Sequence, residues 1–114
     1  MRQRCFRLPL ALGAAAVLAG LAGPAAGDGR PRVHEVAVED FAFVPAILAV
    51  RPGDRVAWVN RDLVPHTATA ADGTWDSGSL RRQARFTLVL AADGTIAYRC
   101  AYHPEMRGVI TVAP

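Results

Sequence analysis

Apolar and polar positions alternate in short runs over most of this chain. Val36 and Val38 stand between polar or small neighbours. Ile47 to Val50 is a short apolar run closed by Arg51-Pro52-Gly53-Asp54, a turn-forming cluster. From Arg55 to Asn60, Val56 and Trp58 fall on one face. Ala84, Phe86, Leu88 and Leu90 keep strict period two, and Ala92-Asp93-Gly94 marks another turn. Ile96, Tyr98 and Cys100 share a face, with Ala97 and Arg99 on the other, and Gly108 to Ala113 puts Ile110 and Val112 together. No window keeps a helical period over ten residues, although Leu80 to Arg85 suits a turn. Short alternating strands separated by frequent turns predict an all-β fold, a sandwich of two sheets around one core.

The first 27 residues break this pattern. Arg2, Arg4 and Arg7 precede a run from Leu8 to Ala22 that is apolar apart from Pro9, and Ala25-Ala26-Gly27 supplies small residues. This is the order of a secretory signal peptide, with cleavage expected before Asp28. The run is short of the roughly 20 residues that span a bilayer, so no membrane span is expected after processing. The expected organisation is a signal peptide at 1–27 and one domain at 28–114, exported, with the bacterial periplasm as destination.

Charge and cysteine usage take on meaning once the leader is set aside. The formal net charge is +3, and Arg2, Arg4 and Arg7 account for all of it. A near-neutral domain without a basic run has no electrostatic footprint for nucleic acid. The chain has two cysteines; Cys5 leaves with the leader and Cys100 stays alone. An exported protein normally pairs its cysteines. An unpaired one points to an intermolecular disulfide, a reactive thiol or a metal ligand.

The chemistry concentrates after Cys100, in Cys100-Ala101-Tyr102-His103-Pro104-Glu105-Met106-Arg107-Gly108. A thiolate, an imidazole and a thioether at three-residue intervals on one tight loop can converge on a point. The missing second nitrogen donor is offered by His66, which follows Leu63-Val64-Pro65. Two imidazoles, one thiolate and a weak axial Met form the ligand set of copper electron-transfer sites. His34, the third histidine, has no partner motif and reads as structural or surface.

These motifs resemble the cupredoxins, the blue copper proteins, and among them the small amicyanin-like and plastocyanin-like members. The resemblance runs from about Val33 to Val112. It rests on Phe41-Ala42-Phe43-Val44-Pro45, on Arg51 through Asn60, on Pro65-His66-Thr67, and on Tyr98 through Gly108. It implies a Greek-key sandwich with one metal site at one end, and a one-electron carrier cycling one copper ion between Cu(II) and Cu(I). His66, Cys100 and His103 would be equatorial ligands and Met106 the axial one. Partners would be larger redox proteins meeting a monomer near His103, Leu63, Val64, Pro65 and Pro104. Many members carry Asn where this chain has Thr67. A hydroxyl lacks the two-ended reach of an amide, so a weaker brace between the ligand loops is expected.

Other classes fit less well. A copper enzyme of the nitrite reductase or multicopper oxidase kind needs a His beside the Cys, where this chain has Arg99 and Ala101. A binuclear copper site needs a second loop cysteine. A zinc site would set Glu105 in place of Met106, since zinc prefers ligand sets without a thioether. A copper carrier or storage domain without redox traffic is the alternative that residues alone separate least.

Overall fold

The computed structural model describes residues 29–114 together with Gly13; the predicted signal peptide otherwise lies outside the described residues. The strands are β1 Val33–Glu39, β2 Ala42–Val44, β3 Ile47–Val50, β4 Asp54–Asn60, β5 Thr69–Ala70, β6 Arg85–Leu90, β7 Gly94–Arg99 and β8 Arg107–Val112. They form two four-stranded sheets, ordered β2-β1-β4-β6 and β3-β8-β7-β5. β1 runs parallel to β4 and β3 parallel to β8; the other pairs are antiparallel. The chain crosses between sheets repeatedly, which is the Greek-key sandwich expected. No helix forms among the described residues.

Period two places the core. Val36, Val38, Val56 and Trp58 from one sheet meet Tyr98, Ile110 and Val112 from the other. Trp58 is fully buried, and its ring lies 5.2 Å from that of Trp75, 5.7 Å from Phe86 and 5.3 Å from Tyr98. β4 departs from simple alternation, because Ala57 and Val59 on its outer face are buried too. The cause lies on its neighbours. Glu35 is in register with Ala57 on β1, and Arg85 with Val59 on β6. Glu35 accepts from Arg61 at 2.6 Å and from Arg85 at 2.9 Å. The Glu35–Arg85 pair therefore crosses β4 and covers its small outer residues.

Some boundaries differ from the sequence pattern. β2 and β5 are three and two residues long, too short for a period to register, and arise from pairing with β1 and β7. β7 starts at Gly94, inside the predicted turn, and β8 at Arg107, one residue early. Asp54 opens β4 and is buried. Its carboxylate accepts the N–H groups of Arg32 at 2.9 Å and Arg51 at 3.0 Å, and lies 2.9 Å from His34 Nε2. That partner gives His34 a structural role, one of the two readings the sequence left open. It also fixes the start of β1 at one pole of the sandwich. β1 then runs the length of its sheet to a turn at Asp40 and Phe41, where the other pole gathers the segment around His66 and the loop between β7 and β8.

Candidate metal centre

Cys100 follows the last residue of β7 and is fully buried. Two backbone bonds close the loop beyond it: Cys100 N–H donates to Met106 O at 3.0 Å, and Met106 N–H to His103 O at 2.9 Å. These bonds fold His103 back toward the thiol and carry Met106, 3 % exposed, into the core. His66 arrives from the segment that links β4 to β5. Its backbone exchanges two hydrogen bonds with Leu80, at 3.1 and 2.7 Å. The buried Asn60 side chain donates to Val64 O and Leu80 O at 2.9 and 2.8 Å, which fixes the loop before and beside His66.

The result is a tight cluster. Cys100 Sγ lies 3.8 Å from His66 Nδ1 and 3.7 Å from His103 Nδ1. The donor atoms of the three residues lie within 4.8 Å of one another. Both imidazoles present Nδ1 to the sulfur, so each Nε2 points away. For His66 that nitrogen meets Asp62 Oδ2 at 2.7 Å. A neutral imidazole that offers Nδ1 to a metal carries its proton on Nε2, and a carboxylate there fixes tautomer and ring orientation. Burial raises the Asp62 pKa, but hydrogen bonds from the Phe41 and Asp40 N–H groups and from His66 outweigh it, leaving the carboxyl below its usual range. His103, half-buried, is the imidazole that reaches the surface.

Thr67 corrects one expectation. Its N–H points at Cys100 Sγ at 3.3 Å, and its hydroxyl accepts the Ala101 N–H at 2.7 Å. The same hydroxyl lies 2.9 Å from Thr69 Oγ1, which donates to Asp76 at 3.2 Å. With the Thr69 proton given to a carboxylate, the Thr67 proton goes to Thr69. The hydroxyl thus works at both ends, and the brace between the ligand loops is kept without an amide.

Glu105 is exposed and stands outside the cluster, whereas Met106 is enclosed. A soft thiolate, two imidazoles and a thioether fit one copper ion better than zinc. Residue patterns alone do not single out Asp62 or Phe41. The Phe41 ring stands edge-on to His66 at 5.1 Å and to His103 at 5.0 Å. Its position depends on backbone geometry that no local motif announces.

No family model matches the chain. It is 33 % identical over 70 residues to the amicyanin of Paracoccus denitrificans, a match covering 57 % of this chain and 53 % of that protein, about half its length. It is 28 % identical to amicyanin-alpha of Methylorubrum extorquens over 98 % of this chain and 99 % of that one. Among solved structures, an amicyanin variant in its Cu(I) form superposes with a TM-score of 0.68 at 26 % identity, covering 71 % of this chain and 82 % of that chain. In sequence and fold the chain resembles the amicyanin-like cupredoxins. Its cofactor is one copper ion. A purple cupredoxin from Nitrosopumilus maritimus also matches, with a TM-score of 0.64 at 26 % identity over 69 % of this chain and 98 % of that chain. The likeness to a copper-containing nitrite reductase of Thermus scotoductus is one of fold alone: 24 % identity, TM-score 0.66, with 23 % of that chain covered.

Proposed function

We propose that this chain is an exported one-electron carrier whose copper is held by His66, Cys100, His103 and Met106. The observation that carries the reading is the pair of Nδ1 atoms 3.7 and 3.8 Å from one buried thiol. Copper supplies the chemistry by cycling between Cu(II) and Cu(I). The residues keep that cycle cheap in rearrangement. Cys100 is held by its own backbone bond to Met106 and by the Thr67 N–H aimed at its sulfur. His66 is locked by Leu80 and Asp62. A donor set fixed this firmly would hold the ion in either oxidation state with little movement of the residues.

His103 is the proposed electron contact, because its Nε2 side is turned from the sulfur toward solvent. Leu63 is 80 % exposed, Val64 and Pro65 before His66 are exposed, and so are Tyr102 and Pro104 on either side of His103. A small apolar collar suits the transient docking of a monomer on a larger redox protein, which needs only a small interface. Among the described residues no helix is long and apolar enough to cross a membrane. The Arg-led apolar leader supports export to the periplasm.

Titration with Cu(II) tests the assignment. One equivalent should produce an intense thiolate band near about 600 nm and a reversible one-electron wave in voltammetry. Cys100→Ser should remove the band while leaving a folded sandwich. A colourless wild-type protein that takes zinc in preference would overturn the reading.

A further inference from the structure

We infer that Phe41 is a lid over the metal centre and that the Asp62 carboxylate holds this lid closed while setting the orientation of His66. The inference rests on the copper site proposed above, but the geometry behind it belongs to the protein alone.

The turn between β1 and β2 is formed by Asp40 and Phe41, with Glu39 and Ala42 in register on either side. Both turn residues have positive φ, 52° and 58°. That left-handed pair is ordinary for Asn-Gly and strained for a bulky side chain. A conformation of this kind persists only where its surroundings impose it. Here Asp62 imposes it. Its Oδ1 accepts the Asp40 N–H at 2.8 Å and its Oδ2 the Phe41 N–H at 3.0 Å. The same Oδ2 lies 2.7 Å from His66 Nε2. One carboxylate serves three N–H donors, two on the turn and one on the ligand.

The consequence is a ring in an unusual place. Phe41 is 52 % exposed, although a phenyl group gains by burial. Its ring contacts both imidazoles, and the imidazole centroids are themselves 5.1 Å apart. Three rings in pairwise contact close this end of the sandwich over Cys100 Sγ. His66, beneath Phe41, is fully buried. Phe41 thereby keeps small ligands and thiol reagents from the sulfur and from the His66 side, and leaves His103 as the open edge.

Alkylation of Cys100 by iodoacetamide in the metal-free protein reads the lid directly and does not depend on copper or electron transfer. Phe41→Ala should raise the rate at least tenfold. Asp62→Asn should raise it comparably with Phe41 still present, because an amide offers one acceptor oxygen where three donors need two. Phe41→Tyr and Asp62→Glu should stay near the wild-type rate. Tyr102→Ala, which removes an equally exposed aromatic from the ligand loop, should change nothing. In the same metal-free samples, imidazole nitrogen shifts should place the His66 proton on Nε2 in the wild type and show a tautomer mixture in Asp62→Asn. The inference fails if Phe41→Ala and Asp62→Asn react at the wild-type rate in folded samples. It fails equally if Tyr102→Ala accelerates the reaction as much as Phe41→Ala. A wild-type protein that shows the lid effect but forms no blue copper site would refute the proposed function and leave the lid standing.

Discussion

Thr67 shows how much one hydroxyl can hold. Its N–H faces the Cys100 sulfur, and its oxygen passes a hydrogen-bond chain from Ala101 through Thr69 to Asp76. Thr67→Val keeps the shape and removes the oxygen, leaving the Ala101 N–H without its acceptor. The expected loss is about 1–2 kcal/mol of stability, measured by urea unfolding of the metal-free protein. Thr67→Ser should recover most of it, and a Val variant as stable as wild type would show that the chain of bonds is not a brace. Side chains of this kind mark where sequence reading ends. Cys100, His103 and Met106 can be read from spacing, because one short loop carries them. His66 can be read as the second nitrogen donor the set lacks. Asp62 and Phe41 cannot, because their roles come from a carboxylate reaching across to a left-handed turn some twenty positions away in the chain.

Strands reveal themselves through period two, and those with a buried and an open face are legible except for a residue or two at their ends. β2 and β5 escape because each exists only through its partner. A cross-strand fit also escapes. Gly108 on β8 stands in register with Tyr98 on β7, and a Cβ at that position would lie 2.2 Å from the Tyr98 Cζ and 2.3 Å from its hydroxyl. The tyrosine ring occupies the space a side chain would need. Tyr98 is buried, with its phenol pushed up to about 12 by desolvation, so it has no open side to swing toward. Gly108→Ala should destabilise the fold by about 1–3 kcal/mol through overpacking. Adding Tyr98→Leu should return part of that loss, a non-additivity expected of residues in contact. Denaturant midpoints of the two single variants and the double variant decide it: strict additivity would mean the strands adjust independently.

Across the whole molecule, the two poles do different work. At the pole away from the metal centre, Asp54 ties the start of β1 to the turn before β4, and hydrogen bonds from the Arg32 N–H, His34 and the Arg51 N–H lower its pKa from 3.8 to about 2. A carboxylate whose folded pKa is depressed stabilises the fold above its unfolded value, and that contribution is lost as pH falls from about 4 toward 2. Asp54→Asn should therefore unfold more readily at neutral pH and show a flatter acid limb, read from melting temperatures between pH 2 and 7; an acid limb as steep as wild type would place the proton uptake elsewhere. At the metal pole, Leu63→Glu should slow electron exchange with a redox partner and leave spectrum and potential unchanged, whereas Arg55→Glu at the far pole should do little. If the Leu63 variant reacts at the wild-type rate, partners dock on another face. The strand joining the poles has a practical meaning. β1 spans about 20 Å between the Asp54 anchor and the Phe41 turn, so whatever is fused ahead of Val33 leaves the sandwich at the end opposite its redox window. A film of this protein fixed to an electrode through that segment would stand with its metal facing the solution, well placed to exchange electrons with a soluble partner and badly placed to receive them from the electrode beneath it.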